Sequence, residues 1–167
     1  HGSTMVLPDL GFDPVTALQT VAAEKCTVLY GVPTMFVAEL AEPSFNDYDL
    51  SSLRSGIMAG SPCPEEVMKR VITDMHMSQV TIAYGMTETS PVASVNPIQN
   101  IQIGTIGIPM PSTLCKVIND AGEELPLGEI GELCIKGPQV MKGYWLRPDA
   151  TAEINLDDLD LGIDGLA

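Results

Sequence analysis

An aromatic ring, a flexible glycine, hydroxyl groups and a carboxylate follow one another in the run Ala83–Ser90. The ring of Tyr84 can stack on a nucleotide base. The hydroxyl of Thr87 can donate to a phosphate oxygen, and the carboxylate of Glu88 can hold Mg²⁺, which usually takes one or two carboxylates together with substrate phosphates. The same run also fits a capped turn in which Thr87 and Ser90 are the caps. From these residues alone, both interpretations stay open.

A second candidate group, Met58–Pro62, ends another predicted strand. Gly60 and Ser61 carry small side chains, so a planar ligand could approach the backbone closely there. A plain turn between a strand and a helix is the alternative interpretation. Because ligands of open α/β sheets bind beyond the carboxyl ends of the strands, both groups lie where such a ligand is expected.

These two groups need strands to position them, and the first half of the chain predicts alternating strands and helices. Asp13 followed by Pro14 predicts the start of a helix. The uninterrupted β-rich run Cys26–Tyr30 predicts a strand buried on both faces. The predicted strands are Thr4–Leu7, Cys26–Tyr30, Ser55–Ala59 and Gln79–Ala83, and helices are predicted to begin near Pro14, Thr34 and Pro64. This order predicts an α/β fold in which helices flank a parallel sheet.

The second half changes character at about Asn96, where glycine and proline become frequent. The runs Thr113–Ile118 and Glu132–Lys136 alternate between apolar and polar residues, which predicts an antiparallel pair with one solvated face. We therefore predict an α/β subdomain over residues 1–95, a small β-barrel-like subdomain over 96–153 and an acidic tail over 154–167.

Composition excludes several classes of function. The 167 residues carry a net charge of −14, which disfavours binding to nucleic acid or to an anionic membrane surface. No apolar stretch approaches the ~20 residues that span a bilayer, and no signal peptide is recognisable. The four cysteines match no zinc spacing and suit a reducing cytoplasm.

The run Tyr84–Thr89 resembles the YGxTE signature of the adenylate-forming enzymes, which include acyl-CoA synthetases, beetle luciferases and peptide-synthetase adenylation domains. Other runs resemble family motifs in the same order along residues 1–153; they are Tyr30–Phe36, Ala59–Pro62, Gly104–Gly107, Gly128–Gly137 and Gly143–Trp145. The medium- or long-chain fatty-acyl-CoA synthetases are the subgroup that this chain resembles most.

The resemblance implies that a carboxylate is activated with Mg·ATP to an acyl adenylate, and that coenzyme A then displaces AMP to give the thioester. It implies that the adenine is contacted by Gly60, Ser61, Pro62 and Tyr84. Gly85 and Met86 belong to the same nucleotide-contacting turn. Thr87 resembles the contact to the AMP phosphate and Glu88 the Mg²⁺ ligand, and these two are the catalytic candidates. An acyl pocket lined by Met58, Gly85, Met86 and Val92 is also implied; ordinary core packing is the alternative for the methionines.

The resemblance also implies parts that are absent from these 167 residues. The phosphate-binding loop of the family would lie upstream and its mobile lysine-bearing domain downstream. We therefore expect an internal fragment that is inactive alone. Relatives continue to a tryptophan and a Thr-Gly-Asp aspartate that holds the ribose; the tail here has neither, and Asp164 followed by Gly165 occupies that place in reversed order. Two other functions remain open: a non-catalytic module that binds AMP or ATP, and an adenylation domain for another carboxylate.

Overall fold

The computed structural model describes residues 2–154. His1 and most of the predicted acidic tail, including Asp164 and Gly165, lie outside the described residues. The described chain forms four α-helices: α1 (Pro14–Glu24), α2 (Pro33–Ala41), α3 (Glu65–Asp74) and α4 (Pro148–Ile154). Its strands are β1 (Val28–Gly31), β2 (Ser55–Ala59), β3 (Gln79–Tyr84), β4 (Ser94–Val95), β5 (Ile108–Pro109), β6 (Leu114–Ile118) and β7 (Glu132–Lys136).

Five strands form one mixed sheet in the order β1-β2-β3-β4-β5. β1, β2 and β3 are parallel to one another, as predicted, but β4 runs antiparallel to β3. The connection from β3 to β4 explains this difference, because nine residues are too few for the crossover that a parallel neighbour needs. The sheet is therefore parallel only in its first three strands.

α1 begins where Asp13 and Pro14 predict it. The Asp13 side chain accepts hydrogen bonds from the main-chain nitrogen of Thr16 at 2.7 Å and from its hydroxyl at 2.8 Å. These bonds hold the pKa of Asp13 below its usual value. The cap satisfies a main-chain donor that the first turn of a helix leaves without a partner.

Two predictions for the first thirty residues were wrong. Thr4–Leu7 is not a strand, and the side chains of Met5 and Leu7 are exposed. β1 is not buried on both faces, since Val28 and Tyr30 expose 37% and 65% of their area. β1 lies at the end of the strand order, so that only β2 pairs with it among the described residues.

An apolar core lies between the helices α1, α2 and α3 and the strands β1, β2 and β3. α1 packs against α2, and α2 packs against α3. The buried cluster consists of Leu18, Val21, Phe36, Leu40, Leu50, Leu53, Met58, Met68, Val71, Met75, Met77, Val80 and Ile82. Burial of this face anchors β2 and β3, and hence the loops that follow their carboxyl ends.

β6 and β7 form a second, two-stranded antiparallel sheet, with Cys115 opposite Ile135 and Val117 opposite Leu133. This confirms the antiparallel pair expected from the alternating pattern. In the described residues this sheet is open, and the barrel-like closure proposed for residues 96–153 stays a prediction.

The described residues 2–154 separate into two compact units. The first contains the chain up to Tyr84 together with Ser94–Ile108, and the second contains Gly85–Ala93 and the chain from Pro109 onward. The predicted subdomain boundaries at residues 95 and 153 stay predictions. Among residues 2–154, no helix has the length and apolar character required to cross a membrane.

Candidate functional site

The predicted adenine-contacting turn follows the carboxyl end of β2. Gly60 has φ +88°, a left-handed conformation that a residue with a Cβ rarely adopts. Ser61 and Pro62 are exposed directly after it. The structure therefore presents the backbone of this turn to solvent, as contact with a planar ligand requires.

Cys63 follows this turn directly, and its thiol is not reactive. Its thiol lies 3.5 Å from the carbonyl oxygen of Ser61 and 3.7 Å from that of Met58. Burial raises the pKa of the thiol, so Cys63 stays protonated at neutral pH and is a poor nucleophile.

Tyr84 is the last residue of β3 and is half-buried. Its antiparallel partner in the sheet is Ser94 of β4, whose hydroxyl donates to the carbonyl oxygen of Ile106 at 2.8 Å. Pairing in the sheet thus fixes the backbone position from which the Tyr84 side chain extends. Part of the ring surface is available for stacking.

A tight loop follows Tyr84 in the chain. The backbone at Gly85 lies so close to Pro91 that a Cβ at Gly85 would overlap the Pro91 carbonyl oxygen. Thr87–Thr89 form a single 3-10 turn within this loop. Only glycine permits this close approach between the first residue of the loop and its end at Pro91.

Thr89 holds the loop together from inside. Its hydroxyl oxygen accepts from the main-chain nitrogen of Met86 at 3.0 Å and lies 3.0 Å from the Met86 carbonyl oxygen and 3.2 Å from that of Pro91. The side chain is buried. The alternative with Thr87 and Ser90 as caps is therefore confirmed for Ser90 and wrong for Thr87, because Thr89 makes the side-chain capping bonds. Ser90 is the C-cap: it adopts a left-handed φ of 52°, and its main-chain nitrogen donates to the Thr87 carbonyl oxygen at 3.3 Å.

This arrangement turns Thr87 and Glu88 outward. Thr87 is exposed, and its hydroxyl makes no hydrogen bond within residues 2–154. Oε1 of Glu88 accepts a hydrogen bond of 2.6 Å from the hydroxyl of Tyr144. The main-chain carbonyl of Glu88 accepts from the nitrogen of Met141 at 2.8 Å.

The charge on Glu88 suits a divalent cation. The hydrogen bond from Tyr144 holds the pKa of Glu88 below its usual value, so the carboxylate is ionised at neutral pH. Within the described part of the chain no lysine or arginine forms an ion pair with it. An ionised carboxylate that is not neutralised by a basic side chain fits the oxygen ligand that Mg²⁺ prefers.

The predicted acyl-pocket residues lie in different environments. Met58 is fully buried in the core cluster, which favours the interpretation as ordinary core. Val92 and Gly85 are half-buried, and Met86 is 43% exposed. Of the four, only Met58 has no surface with which to touch a ligand.

Asn96 ties the Gly104–Gly107 motif to the sheet. Its Oδ1 accepts from the main-chain nitrogen of Gln102 at 2.9 Å, and its Nδ2 donates to the carbonyl oxygen of Thr105 at 2.8 Å. Its own carbonyl oxygen accepts from the hydroxyl of Thr81, which lies on β3. Asn96 is 1% exposed, and these bonds satisfy its buried amide.

Sequence reasoning missed Tyr144 and Thr89 as neighbours of the candidate residues. Tyr144 lies in the motif Gly143–Trp145, which could have drawn attention to it, although its partner Glu88 is 56 positions away. Thr89 lies within the Tyr84–Thr89 run, but its inward orientation is visible only in the folded loop.

Two known proteins with similar sequences carry the names of acyl-CoA synthetases or ligases. YngI of Bacillus subtilis (strain 168), whose name assigns it provisionally to acyl-CoA synthetases, is 52% identical over 161 residues, which are 93% of this chain and 29% of that protein. The mitochondrial medium-chain acyl-CoA ligase ACSF2 of Rattus norvegicus is 41% identical over 157 residues, or 92% of this chain and 26% of its own length. The chain thus spans less than a third of each relative.

A solved structure shares the fold. The anthranilate CoA ligase AuaEII in complex with anthranoyl-AMP matches with a TM-score of 0.79 and 26% identity, over 84% of this chain and 27% of that one. The sequence model of the family described as AMP-binding enzyme matches residues 1–145. This chain belongs to the AMP-binding enzyme family, the adenylate-forming enzymes whose signature the run after β3 resembles.

Proposed function

We propose that this chain is the adenylate-binding segment of an AMP-forming fatty-acyl-CoA ligase. In the proposed reaction the fatty-acid carboxylate attacks the α-phosphorus of ATP, and pyrophosphate leaves to give the acyl adenylate. The thiol of coenzyme A then attacks the acyl carbonyl and loses its proton, and AMP leaves to give the thioester. Because the chain spans 26% to 29% of the length of the two relatives, the complete reaction is proposed for a longer enzyme that contains it.

The observation that carries this proposal is the loop that follows Tyr84. Thr89 and Gly85 hold it in one conformation, and it presents a hydroxyl at Thr87 and an ionised carboxylate at Glu88. Groups that are already oriented before the ligand arrives lose little entropy on binding, which favours a role in positioning a phosphate.

Each candidate residue of the nucleotide site has a proposed task. Tyr84 stacks against the adenine, and the backbone of Gly60, Ser61 and Pro62 contacts its edge. Thr87 donates to the AMP phosphate. Glu88 holds the Mg²⁺ that accompanies ATP, and the bound ion would reduce the negative charge on the phosphates during attack.

Three of the four residues proposed for the acyl pocket remain candidates. Gly85, Met86 and Val92 remain candidates because each retains exposed surface. A medium-chain fatty acid is the proposed substrate class, supported by the similarity to a medium-chain acyl-CoA ligase.

A cytoplasmic location is also a proposal. All four cysteines are free thiols, which suits a reducing compartment. The relative from Rattus norvegicus is mitochondrial by its name, so location within the family varies.

Two measurements test the proposal. A full-length enzyme containing this segment should catalyse exchange of pyrophosphate into ATP when a medium-chain fatty acid is present. Absence of exchange with fatty acids of every length would overturn the ligase function, and exchange by the isolated 167-residue chain would overturn its status as an incomplete segment.

Calorimetry with AMP tests the nucleotide contacts separately. Tyr84→Ala should weaken AMP binding by roughly tenfold, since stacking on an aromatic ring contributes about 1–3 kcal/mol per base. Tyr84→Phe keeps the ring and should bind as the parent does. An unchanged heat of binding in Tyr84→Ala would reject the stacking role. Binding of AMP by a full-length enzyme that gives no exchange would favour a non-catalytic binding module.

A further inference from the structure

The contact between Tyr144 and Glu88 has no assigned role, and it connects two separate motifs. Glu88 lies in the loop after β3, and Tyr144 lies just before α4. Two hydrogen bonds join the segments: the Tyr144 hydroxyl to Oε1 of Glu88 at 2.6 Å, and the Met141 nitrogen to the Glu88 carbonyl at 2.8 Å. Both the side chain and the main chain of Glu88 are therefore held from the same segment.

Tyr144 is itself fixed by its own segment. Its main-chain nitrogen donates to Oγ1 of Thr151 at 2.9 Å, and that hydroxyl lies 2.8 Å from the carbonyl oxygen of Arg147. Gly143, with φ +145°, lies so close to Thr151 that a Cβ there would approach Oγ1 to 2.9 Å. The phenol thus reaches Glu88 from a backbone held by hydrogen bonds at both ends of this turn.

The choice of a tyrosine has a chemical consequence. Its hydroxyl donates a hydrogen bond to Oε1 and carries no charge, whereas a lysine or arginine at this position would also neutralise the carboxylate. Within residues 2–154, Oε2 of Glu88 takes part in no hydrogen bond or ion pair. One oxygen is therefore fixed while the other keeps its lone pairs and its share of the negative charge.

We propose that Tyr144 is a positioning residue whose hydroxyl holds Oε1 of Glu88, so that Oε2 is presented to the divalent cation of the nucleotide. This inference rests on the proposed function of Glu88 as the Mg²⁺ ligand. Partners that orient a metal-binding side chain commonly contribute roughly 10- to 100-fold to metal affinity or activity, and we expect an effect in this range for Tyr144. Tyr144 is 39% exposed, so removal of its hydroxyl leaves the core unchanged.

The test uses Tyr144→Phe in the full-length enzyme that contains this segment. Pyrophosphate exchange is measured against Mg²⁺ concentration at saturating ATP with decanoate. We expect the Mg²⁺ concentration for half-maximal exchange to rise roughly tenfold, with the maximal rate recovered at high Mg²⁺. Tyr48→Phe is the matched control, since it removes a phenol hydroxyl that lies 3.4 Å from Oγ of Ser44; its Mg²⁺ dependence should match the parent.

A binding measurement supplies a readout that does not need turnover. Electron paramagnetic resonance of Mn²⁺ with ATP and without fatty acid, compared with the same Mn²⁺ and ATP solution without enzyme, reports the affinity of the enzyme for the metal. Tyr144→Phe should weaken Mn²⁺ binding by roughly the same factor, while its unfolding temperature stays within ~2 °C of the parent. A lower maximal rate with unchanged metal affinity would show a merely structural role and overturn the inference.

A double-mutant cycle tests whether Tyr144 acts through Glu88. Glu88→Gln keeps the shape of the side chain and removes its charge. In that background Tyr144→Phe should have no further effect on Mn²⁺ affinity, since the group it positions is gone. Additive losses would overturn the inference but leave the ligase function standing. If the parent enzyme binds no Mn²⁺ with ATP, both the inference and the proposed role of Glu88 are rejected.

Discussion

The α-carbon of Gly85 faces the carbonyl oxygen of Pro91 at a distance that leaves no room for a Cβ. The loop between these residues carries Thr87 and Glu88, so this close approach determines where both side chains begin. Neighbouring atoms of Pro91 and Val92 lie 2.8 and 2.9 Å from the same hypothetical Cβ, and all of them belong to the backbone. A side chain at position 85 cannot be accommodated by a rotamer change.

Gly85→Ala should therefore destabilise the chain and displace the loop. We expect the free energy of unfolding in urea to fall by about 1–3 kcal/mol, the usual cost of an overpacked site, and AMP affinity to fall with it. Gly11→Ala is the control, because a Cβ there meets no atom within 4 Å. Equal stability of the two variants would contradict the close approach.

Thr89→Val should loosen the same loop while the volume of the side chain stays nearly the same. The substitution removes the oxygen that accepts from the Met86 nitrogen at 3.0 Å. The loss of about 1 kcal/mol should make hydrogen exchange at the Met86 amide roughly fivefold faster. Thr89→Ser keeps the oxygen and should retain the slow exchange of the parent; exchange that is fast in both variants would argue against this hydrogen bond.

Asn96→Ala should destabilise the first unit, since it leaves the main-chain nitrogen of Gln102 without its acceptor. Loss of a buried partner costs about 1–3 kcal/mol, measured as a fall in the free energy of unfolding. The control is Asn46→Ala, at an exposed asparagine, which should unfold at nearly the same urea concentration as the parent. A comparable effect from both changes would mean that the Asn96 network contributes little.

The free energy of unfolding should depend on pH because of the buried carboxyl group of Glu39. Its side chain is 2% exposed on α2, and within the described residues Oε2 has no hydrogen-bond partner. Burial raises the pKa of this carboxyl from 4.5 to about 7. The folded chain thus binds the proton more tightly than the unfolded chain, so this contribution to stability is full below pH 4.5 and is lost as the pH rises to about 7.

We expect this loss to be about 3 kcal/mol in the free energy of unfolding. Glu39→Gln carries no ionisable group and should flatten the pH dependence, and it should be more stable than the parent at pH ~8. Glu24→Gln removes an exposed carboxyl and should keep the parent's slope. Urea unfolding across this pH range checks the prediction, and a slope that persists in Glu39→Gln would refute it.

Much of the fold was predictable because its signals are local. Asp13 and Pro14 mark the start of α1, and Gly60 marks the end of β2, since caps and turns depend on a few neighbouring residues. The antiparallel β4 was not predictable in the same way, because strand direction depends on how the chain returns to the sheet.

The order of motifs along the chain was sufficient to identify the family and to predict that Tyr84, Thr87 and Glu88 lie at or just after the end of a buried strand. Tertiary structure alone decided which residues, distant in the sequence, surround Glu88, Asn96 and Glu39. Glu88 meets Tyr144 across 56 positions, Asn96 meets Thr81, and the ionisable side chain of Glu39 is buried. These pairings depend on which surfaces the packed strands and helices bring together, and no local propensity of the chain encodes that.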